Sequence, residues 1–243
     1  MSGDGTRVAV GSPQAWGGNQ KGIARVYGYS SGAWTQLGTD FVGETNAEHC
    51  GYSVSISGDG TTVAIGSPEY DAGGTTSRWG RVRTYRFNSG SNTWSSMSDS
   101  SNLLYGATYG GDTGKYFGAS VSLSNDGSRL AVGASYFYGW GATNARASAY
   151  LFVFPGSSWS PLGSVEGENQ GLNSYHYGQF GCSISLSSDG SRVAVGARYN
   201  VAGGHVRVYD VDGAGTWTLI GGDLDGTITS GTGSEFGISV SLS

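Results

Sequence analysis

Residues 117–133, Phe-Gly-Ala-Ser-Val-Ser-Leu-Ser-Asn-Asp-Gly-Ser-Arg-Leu-Ala-Val-Gly, are the clearest copy of a phrase that recurs through this chain. The centre of the phrase is Ser-x-Asp-Gly, followed by a short apolar run that ends in Gly. It occurs four times, at Ser2–Gly11, Ser57–Gly66, Ser124–Gly133 and Ser187–Gly196. A serine-alternating run precedes the last three copies but not the first, and the chain ends on such a run, Phe236–Ser243. The two ends therefore hold complementary halves of one copy, which is the pattern expected of a closed ring of repeats.

Each copy divides into four short strands. The serine-alternating run has the two-residue period of a β-strand, and the apolar run, such as Val8–Val10, is short enough for a strand buried on both faces. Asp-Gly between two such runs is a strong hairpin signal, because glycine tolerates the positive φ of tight turns. A third strand follows, and then a segment with one tryptophan per copy, at Trp34, Trp94, Trp159 and Trp217. We expect these tryptophans to pack against the neighbouring unit.

We predict an all-β protein, a β-propeller of four blades with four antiparallel strands in each. The predicted ring is a single domain, 1–243, closed by pairing of the C-terminal strand, Ile238–Ser243, with Thr6–Gly11 of the N-terminal blade. The blade units are approximately 238–243 plus 1–38, 51–98, 118–163 and 181–221. Closure within one chain favours a monomer over a dimer. A fragment of a longer repeat protein and half of an eight-bladed ring of two chains stay open as alternatives.

Composition and charge exclude two classes of partner. The net charge is −5 with 13 basic residues spread over the repeats, whereas nucleic-acid binding needs a basic face. No apolar run is long enough to span a membrane, so we expect no membrane insertion. Met1 stands directly on the first repeat, so no signal peptide is recognisable and the compartment stays unknown.

The two cysteines occupy different positions of the repeat. Cys50 stands where other copies have the Phe of Phe-Gly, and Cys182 aligns with Tyr52. In a ring of four units they lie in opposite blades, so we expect free, mostly buried thiols.

The phrases Phe117-Gly118 to Gly133-Ala134, Phe180-Gly181 to Gly196-Ala197, and Phe236-Gly237 continued by Gly11-Ser12-Pro13 resemble FG-GAP repeats, the blades of integrin α-subunit propellers. The resemblance covers the whole chain, and Cys50-Gly51 to Gly66-Ser67-Pro68 is its weakest copy. It implies a propeller fold and an extracellular or cell-surface location. Family members often carry a calcium loop with several aspartates, whereas each turn here keeps one, too few oxygens for calcium. The family's propellers usually have seven blades.

Two groups of side chains are candidates for a binding site. The first comprises aromatics in the links between the second and third strands and between blades, which share one face of a propeller. They are Trp16, Tyr70, Trp79, Tyr136, Tyr138, Trp140, Tyr175, Tyr177 and Tyr199, with Trp140 as the strongest single candidate. Such rings stack on sugars or anchor a protein partner, or else fold back to pack the glycine-rich links. The second group precedes the Phe-Gly element in each blade and is expected at the mouth of the central channel, as a small site or a water-lined plug: His49, Tyr116, Gln179 and Glu235.

The sequence carries no catalytic motif. Carboxylates are frequent in the same links and could form a glycosidase-like pair, but none stands in a recognisable pattern. The histidines lack zinc spacing, and the glycine-rich stretches lack the Lys-Ser/Thr of a phosphate loop. We therefore expect no cofactor and no metal, and a non-enzymatic recognition or adhesion module that binds a glycan or a protein surface. The alternatives are a structural assembly subunit and, in a different class, a glycoside-hydrolase-like enzyme that uses loop carboxylates.

Overall fold

The computed structural model describes residues 1–15, 19–71, 78–97, 104–106, 116–135, 147–167, 179–198, 203–227 and 235–243. These residues form strands and turns and no α-helix. No helix in these ranges is long and apolar enough to cross a membrane. The prediction of an all-β fold is therefore confirmed.

The strands form four antiparallel sheets that follow one another along the chain. The first sheet contains β1 (Arg7–Ser12), β2 (Ile23–Ser30), β3 (Ala33–Gln36) and β4 (Phe41–Val42). The second contains β5 (Ser53–Ile56), β6 (Thr62–Ser67), β7 (Arg81–Asn88), β8 (Thr93–Ser96) and β9 (Leu104–Tyr105). The third contains β10 (Phe117–Leu123), β11 (Arg129–Ala134), β12 (Ser148–Val153) and β13 (Ser160–Glu166). The fourth contains β14 (Phe180–Leu186), β15 (Arg192–Ala197), β16 (His205–Val211), β17 (Trp217–Leu219) and β18 (Leu224–Asp225).

The outermost strand is interrupted in three of the sheets. β4, β9 and β18 pair with β2, β7 and β16, the strands with which β3, β8 and β17 also pair. In the third sheet β13 runs without a break and takes up the extra residue as a bulge opposite Leu151 and Phe152. The short segments β4, β9 and β18 were not expected from the sequence, because two-residue strands have no periodicity to read.

The Asp-Gly hairpins are closed by the aspartate side chain as well as by glycine. In the third sheet Asp126 Oδ1 accepts from Ser124 Oγ at 2.7 Å and from the backbone N–H of Ser128 at 3.0 Å. The corresponding bonds recur at Asp4, Asp59 and Asp189. The carboxylate therefore has a local structural role that explains its place in the repeat.

Consecutive sheets are joined along their innermost strands. Ser120 Oγ donates to the carbonyl of Gly181 at 2.8 Å, and the backbone N–H of Leu186 donates to Ser122 Oγ at 3.0 Å. A Cβ on Gly133 would overlap the Gly181 carbonyl oxygen, so the glycine that ends the apolar run gives the next sheet room to approach. Three hydrophobic clusters each combine residues of two consecutive sheets. The small inner faces predicted from the alternating serines are thus the surfaces on which one sheet contacts the next.

The C-terminal segment differs from the prediction. Ile238–Ser243 is not a strand in the structure, and the ladder recorded for β1 is with β2. The segment lies instead along the fourth sheet, where Ser183 Oγ donates to the Gly237 carbonyl at 2.7 Å and the Leu242 N–H donates to Ser185 Oγ at 2.9 Å. Among the described residues the segment forms no ladder with β1, so the structure does not show ring closure.

Candidate functional site

The two ends of the sheets are built differently. One end carries the Ser-x-Asp-Gly turns, and we call it the turn face. The other carries the links from the second to the third strand and from each sheet to the next, and we call it the loop face. Most of the predicted aromatic binding residues lie in parts of these links outside the described residues: Trp16, Tyr136, Tyr138, Trp140, Tyr175, Tyr177 and Tyr199.

Tyr70 and Trp79 are the members of that group that the structure describes. Tyr70 is buried, stacks on Tyr105 with ring centroids 5.5 Å apart, and lies under the guanidinium of Arg81 at 3.9 Å from its ring centre. Burial and the hydrogen bond with Tyr105 raise the pKa of Tyr70 to about 12. Trp79 is half-buried. Tyr70 therefore packs the loop face in this structure and offers no exposed ring to a ligand.

The four residues predicted at the channel mouth share a backbone conformation. His49, Tyr116, Gln179 and Glu235 have φ of 54°, 50°, 49° and 51°, in the left-handed region. In each case the carbonyl accepts from the N–H three residues later, at 2.9–3.2 Å. The position is thus a tight turn that aims the Phe-Gly element into its sheet, which costs strain at a non-glycine residue.

Polar contacts link His49 with Tyr116. His49 Nδ1 lies 3.0 Å from Glu69 Oε1, and Arg78 Nε lies 3.4 Å from Glu69 Oε2. Arg78 Nη1 donates to Tyr116 Oη at 2.8 Å. Beside this chain of contacts is a cavity of about 80 Å³ lined by Tyr52, Pro68, Glu69, Tyr116 and Ala119. A cavity of that size suits a few water molecules and is well below the volume of an ordinary ligand pocket.

The other two members of the group have contacts near the fourth sheet. Gln179 Oε1 accepts from Arg198 Nε at 2.5 Å. Glu235 begins the turn whose Phe236 N–H donates to the Gly203 carbonyl at 3.0 Å. Each of these positions is therefore tied to the backbone or side chains of a link at the loop face.

The loop face also contains a buried ion pair that the sequence did not indicate. Glu48 is fully buried; its Oε1 accepts from Arg81 Nε at 2.9 Å and Nη2 at 2.6 Å, and its Oε2 accepts from the backbone N–H groups of Glu44 and Thr45. Arg81 Nη1 also donates to Glu44 Oε2 at 2.9 Å. This pair joins the link after the first sheet to β7 of the second. The available signal was the position of Arg81, which the register aligns with Ile23, Ser148 and His205 of the other sheets.

The electrostatics of this cluster hold its charges in place. Burial by itself lowers the pKa of Arg81, but the hydrogen bonds and charges of Glu44 and Glu48 raise it above its ordinary value. The hydrogen bond from Arg81 lowers the pKa of Glu44. Both carboxylates of the cluster are therefore paired with Arg81, which suits a structural or recognition role better than proton transfer.

Both cysteines are free thiols, Cys50 buried and Cys182 half-buried. Cys50 Sγ lies 2.9 Å from Arg83 Nη2, in the space that Phe117 and Phe180 fill in other sheets. Burial raises the pKa of Cys50, so the thiol is held in its unreactive protonated form.

In the described ranges, no group of three or more His, Cys, Asp or Glu side chains is arranged to hold a metal ion. The turn aspartates are engaged by their own hydroxyl and amide donors, as in Asp59 with Ser57 and Thr61. A larger open groove of about 740 Å³ lies at the turn face between the second and third sheets, beside Arg86, Phe87 and Phe154. The guanidinium of Arg86 lies 5.4 Å from the ring centre of Phe154. A cationic side chain of the second sheet and an aromatic ring of the third therefore meet in this groove.

No protein-family profile and no curated protein matches this sequence. The chain is similar in structure to Sqt1 from Chaetomium thermophilum, solved with the N-terminus of ribosomal protein L10, at 14% identity and a TM-score of 0.54 over 98% of this chain and 49% of that one. It is similar to a putative 6-phosphogluconolactonase from Bacteroides uniformis at 11% identity and a TM-score of 0.50, over 93% of this chain and 70% of that one. A prolyl endopeptidase aligns at 16% identity and a TM-score of 0.48, over 90% of this chain and 28% of that one.

These similarities concern the fold alone. The neighbours are β-propeller-type folds, and the four antiparallel sheets, each formed by sequential strands and packed on the next, place this chain in the same architectural class. By length the chain spans 49% of the Sqt1 chain and 28% of the endopeptidase chain.

Proposed function

We propose that this chain is a non-enzymatic binding module built of FG-GAP-like blades, and that its loop face binds a protein surface. The carrying observation is the contrast between the two faces. The turn face repeats one hydrogen-bonded turn, whereas the links at the loop face differ in length and side chains from sheet to sheet. Variation confined to one end of a repeated scaffold is where repeat proteins place their recognition surfaces.

The described part of the loop face supports a protein partner over a glycan. Its side chains include paired charges, among them Glu69 with Arg78 and Glu44 with Arg81, while Tyr70 is buried. Charged, partly exposed groups with fixed geometry complement a protein surface, whereas sugars need exposed aromatic platforms. Among the structural neighbours, Sqt1 was solved with the N-terminus of a ribosomal protein, so the fold is compatible with this kind of partner.

The same charges argue against a glycosidase pair in these residues. A general acid needs a raised pKa and a free proton. The hydrogen bond from Arg81 lowers the pKa of Glu44. The neighbouring Glu48 is held by the same arginine in a buried ion pair. Binding is therefore the better-supported use of this face.

The experiment is a screen of the purified chain against a glycan array and a displayed library of protein segments, followed by two matched substitutions. Trp140→Ala changes the link between β11 and β12, the strongest candidate of the sequence, and Thr61→Ala changes an exposed turn of the turn face. We expect a protein ligand whose affinity falls at least about tenfold with Trp140→Ala and stays unchanged with Thr61→Ala. A ligand that is a glycan alone, equal effects of both substitutions, or hydrolysis abolished by Glu69→Gln would contradict the proposal.

A structural assembly role is a second candidate, favoured by a different observation. Large apolar side chains are exposed on the two terminal sheets: Val10, Tyr29, Trp34, Leu219, Ile220, Leu224, Phe236 and Ile238. They are distributed over two edges at opposite ends of the series of sheets, away from the links discussed above.

A further inference from the structure

The first sheet lacks the innermost strand that the other sheets have. Its β1 corresponds to β6, β11 and β15, which pair with β5, β10 and β14. The difference is visible in exposure, because Val10 is 48% exposed whereas its counterpart Val132 is 0% exposed. A free, apolar strand edge of this kind is a template for pairing with another chain.

The C-terminal segment is an innermost strand without a sheet of its own. It contacts the fourth sheet as β10 contacts the second and β14 the third. Ser53, Ser120 and Ser183 donate in turn to the carbonyls of Gly118, Gly181 and Gly237, at 2.7–2.8 Å. The backbone N–H groups of Leu123, Leu186 and Leu242 donate to a serine hydroxyl in the innermost strand of the preceding sheet, at 2.9–3.0 Å. The segment thus already has the position and orientation of the first strand of a fifth blade.

The two edges match in register. In the third sheet Ser120, Val121, Ser122 and Leu123 pair with Gly133, Val132, Ala131 and Leu130. The same alignment sets Ser239 opposite Gly11, Val240 opposite Val10, Ser241 opposite Ala9 and Leu242 opposite Val8. Each pair repeats one that is observed within the chain, small against small and aliphatic against aliphatic.

A second pair of surfaces, formed by the outer strands and the repeat tryptophans, also matches between the first and the fourth sheet. Trp94 and Trp159 reach back to the preceding sheet, where Trp94 Nε1 donates to the Leu37 carbonyl at 2.9 Å and Trp159 Nε1 to Thr84 Oγ1 at 2.7 Å. Trp34, in the first sheet, has no preceding sheet in this chain and is 48% exposed.

The fourth sheet offers the surface that Trp34 lacks. Ile220-Gly221 corresponds to Leu37-Gly38, since each pair begins three residues after the repeat tryptophan. A Cβ on Gly38 would lie 2.7 Å from Trp94 Cδ1, whereas nothing lies within 4 Å of a Cβ on Gly221. Gly221 has the same left-handed backbone as Gly38, with φ of 69° against 74°. The space that Trp94 fills beside Gly38 in the first sheet is empty beside Gly221 in the fourth.

We propose that two copies of this chain associate head to tail, the C-terminal segment of each completing the first sheet of the other. Trp34 of each copy then packs on Ile220-Gly221 of its partner. Two such interfaces close a ring of eight sheets with two-fold symmetry and leave no uncovered edge. This replaces the monomeric ring expected from the sequence and stands apart from the proposed ligand at the loop face.

The first test is a disulfide in the predicted register. Val10→Cys and Val240→Cys are combined in a chain whose half-buried Cys182 is changed to Ala, the residue at position 119 of the same repeat. Directly opposite residues of an antiparallel pair are within disulfide range. We expect oxidation to give a species of twice the 25.0 kDa chain mass on a non-reducing gel, which each single-cysteine variant fails to give. A disulfide within one chain would overturn the proposal, because it would place the closure in a four-bladed monomer.

The second test is the mass of the unmodified chain in solution as a function of concentration. We expect a discrete dimer whose dissociation constant rises at least about tenfold with Trp34→Ala, as for a central aromatic anchor. Tyr52→Ala is the matched control, because Tyr52 is an aromatic residue of similar exposure, 51%, that lies on neither edge. A monomer at all concentrations, an open series of larger species, or equal effects of the two substitutions would overturn the proposal.

Discussion

The first and third sheets contain nearly the same strand, Val8-Ala9-Val10 and Leu130-Ala131-Val132, in opposite surroundings. In the third sheet the strand lies between β10 and β12 and is fully buried, while in the first sheet one side is open. Local sequence produces the strand in both. The packing energy of a repeat residue therefore depends on whether the neighbouring sheet is present, not on the repeat itself.

The largest expected difference concerns the phenylalanine of the Phe-Gly element. Phe117 is 0% exposed and contacts the rings of Tyr150 and Phe152, whereas Phe236 is 42% exposed. Phe117→Ala should lower the free energy of unfolding by about 3–5 kcal/mol, because it opens a cavity in a closed core. Phe236→Ala should lower it by less than about 1 kcal/mol in dilute, monomeric protein. Urea denaturation measures both, and equal losses would show that Phe236 is covered.

Next in size is the contrast between the buried and the exposed ion pair. Glu48→Gln leaves Arg81 buried without its main partner and should cost about 3 kcal/mol. Asp40→Asn breaks the Arg25–Asp40 pair of the first sheet, which solvent reaches, and should cost at most about 1 kcal/mol. Urea denaturation of the two single variants checks the ratio. A loss for Asp40→Asn as large as that for Glu48→Gln would mean that the first sheet is buried by a neighbour.

A smaller effect separates two of the repeat tryptophans. Trp159→Phe removes the donor that satisfies the buried Thr84 hydroxyl and should cost about 1–2 kcal/mol. Trp34→Phe keeps the ring contact with Tyr29, at 5.1 Å between centroids, and should change monomer stability by less than about 0.5 kcal/mol. Thermal unfolding at a concentration below dimer formation resolves the two. A marked loss for Trp34→Phe under those conditions would place that indole N–H in a buried contact.

The smallest expected effect concerns the aspartates of the Asp-Gly turns, which should behave alike in the first and the fourth sheet. The Ser187 hydroxyl, then the backbone and hydroxyl of Ser191, hold the pKa of Asp189 at about 2, and the corresponding donors hold that of Asp4 at about 2. A carboxylate whose pKa lies below its ordinary value of 3.8 stabilises the fold above that pH, and the stabilisation is lost as the pH falls towards 2.

Asp189→Asn should therefore make stability depend less on pH between about 4 and 2, and Asp4→Asn should do so to a similar degree. Urea midpoints across that range measure the change. If the pH dependence of the urea midpoint falls in only one of the two variants, the contribution of the aspartate depends on its sheet and not on the turn alone.

The parts of the fold that follow from local chemistry could be predicted from the sequence. The serine-alternating run, the Asp-Gly hairpin and the apolar run predicted the first two strands of the second, third and fourth sheets at nearly their observed positions. The packing role of the tryptophans also followed for Trp94 and Trp159, which bond to the preceding sheet, whereas Trp34 is 48% exposed.

The parts that depend on three-dimensional proximity could not be predicted. Glu48, in the link after the first sheet, and Arg81, in β7, are 33 residues apart, and no spacing rule connects them. Ring closure also depends on proximity in three dimensions, and the structure does not show it: Ile238–Ser243 lies along the fourth sheet. The place of His49 and its counterparts at a channel mouth stays a prediction, and their shared positive φ shows that they have a turn in common.

The most direct test of the open series of sheets with two matching edges is hydrogen exchange at several protein concentrations. In dilute protein we predict that the peptide covering β1 exchanges much faster than those covering β11 and β15, because one edge of β1 faces solvent. At concentrations where the dimer forms, exchange should slow in β1 and in Ile238–Ser243 and stay unchanged in β11. Exchange in β1 as slow as in β11 at every concentration would contradict the account, since it would mean that the chain closes on itself.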